Sequence, residues 1–104
     1  MGERHPVELA AAAVADLREI HAYISRDSPD AAWTWLEEFE RIIHSLERFP
    51  GRCPVIPEAG ELGREYRHLV RGNYRIIFRM DGRRVWVIRV LHAARLMDTS
   101  ILDA

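Results

Sequence analysis

Lysine is absent from this chain, and cysteine occurs once. A lone Cys53 rules out an internal disulfide; it fits a packing or loop thiol in a reducing, cytosolic compartment. No apolar run approaches the roughly 20 residues that a membrane span needs, so no membrane partner is expected. The opening MGERHPVEL lacks the character of a secretory signal. Met1-Gly2 begins like an acylation signal, but Pro6 stands where that signal needs Ser or Thr. A phosphate-binding glycine loop is missing too, since GELGRE (residues 60–65) opens no nucleotide fold. His5, His68 and His92 have no Cys or His neighbours at zinc spacing. His21 and His44 lie on helices and show no ligand pattern. Ser25, Ser28, Ser45 and Ser100 show no nucleophile elbow. Neither a metal nor a cofactor is expected.

What is present is arginine. The 104 residues carry a net charge of −1, which hides the layout. Residues 1–50 hold five Arg and ten acids, net −5, and residues 51–104 hold ten Arg and six acids, net +4. Between Leu62 and Arg95, nine Arg face only Glu65 and Asp81. A GC-rich genome accounts for arginine replacing lysine, but not for its crowding into one third of the chain. Such a patch points to an anionic partner, either nucleic acid or an acidic protein segment.

The length predicts a single domain spanning 1–104, able to bury roughly 65% of its unfolded surface. Val7 and Leu9 around Glu8 give a short strand after Pro6. From Ala10 a helix follows, with Ala13, Leu17, Ile20 and Ile24 on one apolar stripe and Asp16, Arg18 and Glu19 off it. It ends between Ser25 and Asp27. Ser28 then caps a second helix, Pro29 takes its first position and Asp30 suits its dipole. Ala32, Leu36, Phe39, Ile43 and Leu46 form its stripe, and Trp33 and Trp35 are read as packing residues. Pro50-Gly51 stops it. The short connection predicts an antiparallel helical hairpin. Residues 50–63 read as a loop. Strands are expected at about 65–70, 74–80 and 85–92, with turn signals at Gly72-Asn73 and Asp81-Gly82. The expectation is an α+β fold: a short N-terminal strand and a helical hairpin packed on a C-terminal three- to four-stranded antiparallel sheet.

A two-residue turn at Asp81-Gly82 pairs Met80 with Arg83. Tyr74, Ile76, Phe78, Met80, Val85, Val87 and Leu91 then face the helices. Arg75, Ile77, Arg79, Arg84, Trp86, Ile88, Val90 and His92 take the far face. A three-residue loop instead flips the second strand, sending Trp86 to the core and Arg89 to join Arg75 and Arg79. In both cases Arg75 and Arg79 share a face away from Tyr74, Ile76 and Phe78. With Ile77, Ile88 and Val90 uncovered, that face has the character of an interaction site. The chemistry compatible with these residues is metal-free RNA cleavage, with Arg75 and Arg79 holding phosphate and His92 or His68 as acid or base. No spacing rule ties them together.

The segments DLREIHAYIS, SPDAAWTWLEEFERIIHSLERFPG and GNYRIIFRMDGRRVWVIRVLHAAR resemble the RelE/ParE superfamily of toxins from type II toxin–antitoxin systems, over about Val7 to Arg95. Asp16-Leu17 with Ile20 and Tyr23, Phe49 to Arg52, the Tyr74–Phe78 strand and Val90-Leu91-His92 carry the likeness. The resemblance implies the helical hairpin on an antiparallel sheet. It also implies a bacterial toxin neutralised by a cognate, ParD-like antitoxin in a hetero-oligomer. RelE-like members cut mRNA on the ribosome, and ParE-like members are taken to poison DNA gyrase. Arg75 matches the arginine after the tyrosine of the nuclease branch. The lysines and the late aromatic residue of that branch are missing here, and the long capped second helix and the VLH ending resemble ParE. The reading is therefore a ParE-like, plasmid-stabilisation-type toxin that binds its target rather than an enzyme. The surface shared by target and antitoxin is expected to comprise Arg67, Arg75, Ile77, Arg79, Trp86, Ile88, His92 and Arg95. The alternatives are a ribosome-dependent mRNA endonuclease using Arg75, Arg79 and His92, and a toxin-fold relic that serves only to bind an antitoxin.

Overall fold

The computed structural model describes residues 4–57 and 65–93. In chain order come β1 (Val7–Leu9), α1 (Ala11–Ser25), α2 (Pro29–Ser45), a 3-10 turn (Pro50–Arg52), β2 (Arg67–Arg71), β3 (Tyr74–Asp81) and β4 (Arg84–His92). No helix among the described residues is long and apolar enough to cross a membrane.

α2 starts where its sequence directs. Ser28 is extended and its hydroxyl accepts a 3.1 Å bond from the Ala31 N–H, with Pro29 at the first helical position. Its last turn is closed from beyond the helix. Arg52 Nη1 donates to the carbonyls of Ser45, Arg48 and Phe49 at 3.3, 2.7 and 3.0 Å. A cation among carbonyls just past the last turn also suits the negative end of the helix dipole.

The sheet order is β1-β4-β3-β2. β2, β3 and β4 run antiparallel as expected, while β1 adds to the outside of β4 in parallel, making the sheet mixed. The long path through both helices is what lets the chain return in the same direction. The β3–β4 turn is Gly82-Arg83, with Asp81 opposite Arg84 rather than Met80 opposite Arg83. Gly82 has φ 61, a left-handed value that favours glycine. This shift is even, so the faces at this end stay as predicted: Phe78 lies opposite Val87 and Arg79 opposite Trp86.

Farther along, a β-bulge between Ile77 and Phe78 changes the register. β4 carries one extra residue, and Ile76 now faces Val90, Arg75 faces Leu91 and Tyr74 faces His92. The faces assigned to the end of β4 are therefore reversed. Val90 belongs to the cluster under the helices with Ile76, Phe78, Val85 and Val87. Leu91 lies on the far side with Ile77, Ile88, Ile56 and Tyr66.

On the helix side the apolar row of α2 is Ala32, Phe39, Ile42 and Leu46, all buried, flanked by partly buried Trp35 and Ile43. The centre of the row is thus Ile42 rather than Ile43, and Leu36 is only partly buried. Trp35 explains the rotation, since it stacks on Phe39 and meets the edge of Tyr74, bringing its own side of the helix down onto β3.

Candidate functional site

The arginines of the hairpin have separate destinations. Arg89 binds Asp16 of α1 through Nε to Oδ2 at 2.7 Å and Nη2 to Oδ1 at 2.8 Å. The Val90 N–H also donates to Asp16 Oδ2, at 2.9 Å. β1 pairs with β4 only at Val85–Val87, so beyond it the β4 edge needs another acceptor, and Asp16 supplies one. Asp16, read from the sequence as lying off the apolar stripe of α1, is 7% exposed. Its bond to Arg89 pushes that guanidinium's pKa further up, against the opposing effect of burial. This pair fastens α1 to the sheet and leaves Arg89 little freedom to serve a ligand.

Arg75 is 9% exposed and its Nε donates to His68 Nδ1 at 3.1 Å. Arg67 lies in register with Phe78, on the side of the helices, and donates from Nη1 to the Cys53 carbonyl at 2.5 Å and from Nη2 to Glu65. Burial pushes the Cys53 thiol pKa up, outweighing the opposite pull of the Arg52 and Arg67 guanidiniums. Ile77 and Ile88, expected to be uncovered, are both 0% exposed. Ile56 and Tyr66 pack over them, with Trp86 at the margin. Ile56, from the stretch read only as loop, and Tyr66, from the start of the expected strand at 65–70, thus supply the cover of the far face. The backbone around Ile56 also bonds the outer side of β2 through Ile56 N–H to Tyr66 O at 2.9 Å and His68 N–H to Pro54 O at 3.1 Å.

His92 is exposed and lies edge-on to Tyr74, 5.7 Å between ring centroids. Tyr74 meets Trp35 of α2 at 5.3 Å, so His92 stands on the helix side. The bulge thereby separates it from Arg75 and Arg79, which keep the far-face register of β3. Arg95 falls outside the described residues. Arg79 and Trp86 are half-buried across from each other. Arg79 makes no hydrogen bond or ion pair with any described residue.

Two surface features combine apolar contact with charge. One is a cleft between α2 and the β2–β3 turn, lined by Trp35, Phe39, Ile42 and Tyr74, with Glu38 and Arg71 also on its wall. The other lies at the β3–β4 turn end. Two adjoining hollows there share Glu65, Arg67 and Met80; one adds Arg79, the other Phe49, Pro50 and Arg52. Phe49 is 67% exposed and is the one non-glycine residue with positive φ among those described, at φ 50. Left-handed backbone costs such a residue about 1 kcal/mol or more. Sequence reading missed this residue as a surface feature; the Phe49–Arg52 run, noted for its family likeness, was the available signal. Among the described residues no group of His, Cys, Asp and Glu is placed to hold a metal.

Residues 7–97 match the family described as the ParE toxin of type II toxin-antitoxin system, parDE. No curated protein matches the chain. A solved structure, "Chromosomal ParDE TA system from P. aeruginosa", is similar with a TM-score of 0.66 and 18% identity, over 86% of this chain and 96% of that one. That likeness shows the shared fold, and the family match covers the helical hairpin and all four strands. The chain belongs to the ParE toxin family of type II toxin–antitoxin systems.

Proposed function

We propose that this chain is a cytoplasmic toxin that inhibits DNA gyrase by binding it, and that a cognate antitoxin neutralises it in a hetero-oligomeric complex. Family membership supports the toxin role and the antitoxin partner. The observation that favours a binding mode over RNA cleavage is the division of Arg75, Arg79 and His92. Cleavage of a phosphodiester without metal needs the cations and the acid or base around one phosphate, within hydrogen-bond reach. Here the bulge sends His92 to the Tyr74 side, while Arg75 and Arg79 stay on the other face. His68, the other candidate acid or base, does stay beside Arg75, but there Arg75 is only 9% exposed and spends its Nε on His68 itself. Of the contacts suggested by the sequence, Arg67, Arg79, Trp86 and His92 retain exposed surface and stand as proposed contacts.

The test is a pair of assays on the purified chain. Supercoiling by gyrase should fall with toxin concentration and recover when antitoxin is added. Primer extension on mRNA from cells expressing the chain alone should show no new codon-positioned ends. New cuts within minutes of induction, with gyrase unaffected, would replace this reading by the mRNA endonuclease.

A further inference from the structure

The turn-end groove has chemistry that neither the fold nor the internal ion pairs use. Its walls come from segments far apart in sequence: Phe49, Pro50 and Arg52 after α2, Arg67 on β2, and Arg79 and Met80 on β3. Phe49, Pro50 and Met80 offer an apolar floor. Arg52 and Arg67 are partly engaged with backbone carbonyls and with Glu65. Arg79 is not: it is half-buried and makes no hydrogen bond or ion pair with a described residue. Glu65 shares the hollow but is bonded to Arg67, so the half-buried Arg79 guanidinium is free to take a further anion, and its planar fork suits a carboxylate held by two parallel bonds. Phe49 is held out in solvent on a left-handed backbone, an unfavourable conformation that leaves a large apolar side chain at the groove.

We propose that this groove is a docking site for an acidic, apolar protein segment, in which a carboxylate meets Arg79 while a neighbouring large apolar side chain covers Phe49 and Met80. This rests on the reading that a protein antitoxin neutralises the chain, and it assigns that partner's anchoring chemistry. A peptide fits better than a nucleic acid. The hollow beside Phe49 is lined mainly by apolar atoms, and Glu65 on its rim would oppose a continuous run of phosphates while tolerating single carboxylates.

The probe is a short fluorescein-labelled peptide alternating Glu and Leu, titrated by anisotropy against the whole purified chain. Controls are the same peptide with Lys for Glu and a single-stranded oligonucleotide of matched length. The Glu-Leu peptide should bind and the Lys-Leu peptide should not. Arg79→Glu should weaken binding by about tenfold or more, as loss of a desolvated charge pair does. Phe49→Ser, a change at an exposed side chain, should weaken it with an unchanged melting curve, so the result does not depend on how well Arg79→Glu folds. Binding of the oligonucleotide in place of the peptide would overturn the proposal, as would peptide binding that neither variant alters, or no binding at all. The measurement involves no gyrase, so failure of gyrase inhibition and failure of this docking site are separate outcomes.

Discussion

Asp16 shows how one carboxylate can decide what an arginine is for. It accepts both bonds of Arg89 and the Val90 N–H while being 7% exposed. Removing one partner of a buried pair leaves the other charge stranded. Asp16→Ala should therefore cost about 3 kcal/mol, near the low end of the range for buried pairs because Arg89 keeps 16% of its side-chain surface in water. Replacing both partners, as in Asp16→Leu with Arg89→Met, should recover much of that loss. It should not recover all of it, because Val90 keeps an unpaired N–H worth roughly 1–3 kcal/mol. Urea titrations of the two single variants and the double variant check this. Equal destabilisation in Asp16→Ala and the double variant would mean that the stranded charge contributes nothing. In the sequence Asp16 lies off the apolar stripe of its helix. Its partner lies 73 positions away, and no local pattern announces a side chain that caps a strand edge.

The elements were largely legible because each carries its own punctuation. Ser28-Pro29 opens α2, Pro50-Gly51 marks the turn a few residues past its end at Ser45, and glycines with positive φ stand at both sheet turns. These are local signals, and local physics sets them. The Ser28 hydroxyl satisfies one otherwise unpaired N–H, so Ser28→Ala should cost about 1 kcal/mol. For a domain near this size that is a fall in melting temperature of roughly 5 °C. Ser28→Gly should cost only a few tenths of a kcal/mol. Scanning calorimetry distinguishes the two, and an Ala variant that melts like wild type would deny the cap any role. What local signals could not give was the bulge. Val90 and Leu91 are both apolar and adjacent, so either could face the helices, and only the packing of Val90 on Ile76 and of Leu91 with Ile77 and Ile88 reveals the extra residue. That one residue moved His92 off the proposed nuclease face, so the element-scale error bore directly on function. The cover of the far face was missed for a related reason: Ile56 sits in a segment whose prolines and glycines advertise a loop, Tyr66 at the start of an expected strand, and the burial of both follows from tertiary contact alone.

At the scale of the whole molecule, the sheet separates stability from partner binding. The helix-side cluster joins Phe39, Ile42 and Leu46 of α2 to Ile76, Phe78, Val85 and Val87, and it holds the hairpin on the sheet. Arg79, at the far edge of β3, joins no described bond. Phe39 is 5% exposed and stacked on Trp35 at 5.7 Å. Phe39→Ala should cost about 3–5 kcal/mol, a large share of the roughly 5–15 kcal/mol that a domain possesses. It should abolish toxicity by unfolding the chain, and saturating antitoxin should restore part of the folded population, because a ligand of the native state alone shifts the equilibrium by mass action. Arg79→Ala should do the opposite. Its melting temperature should stay within a few degrees of wild type, since surface substitutions that break no bond usually lie within about 0.5 kcal/mol, while its affinity for antitoxin falls. Melting curves of both variants, with and without antitoxin, make the comparison. If Arg79→Ala unfolds the chain while Phe39→Ala melts like wild type, the division of the sheet into a stabilising face and a binding edge is wrong.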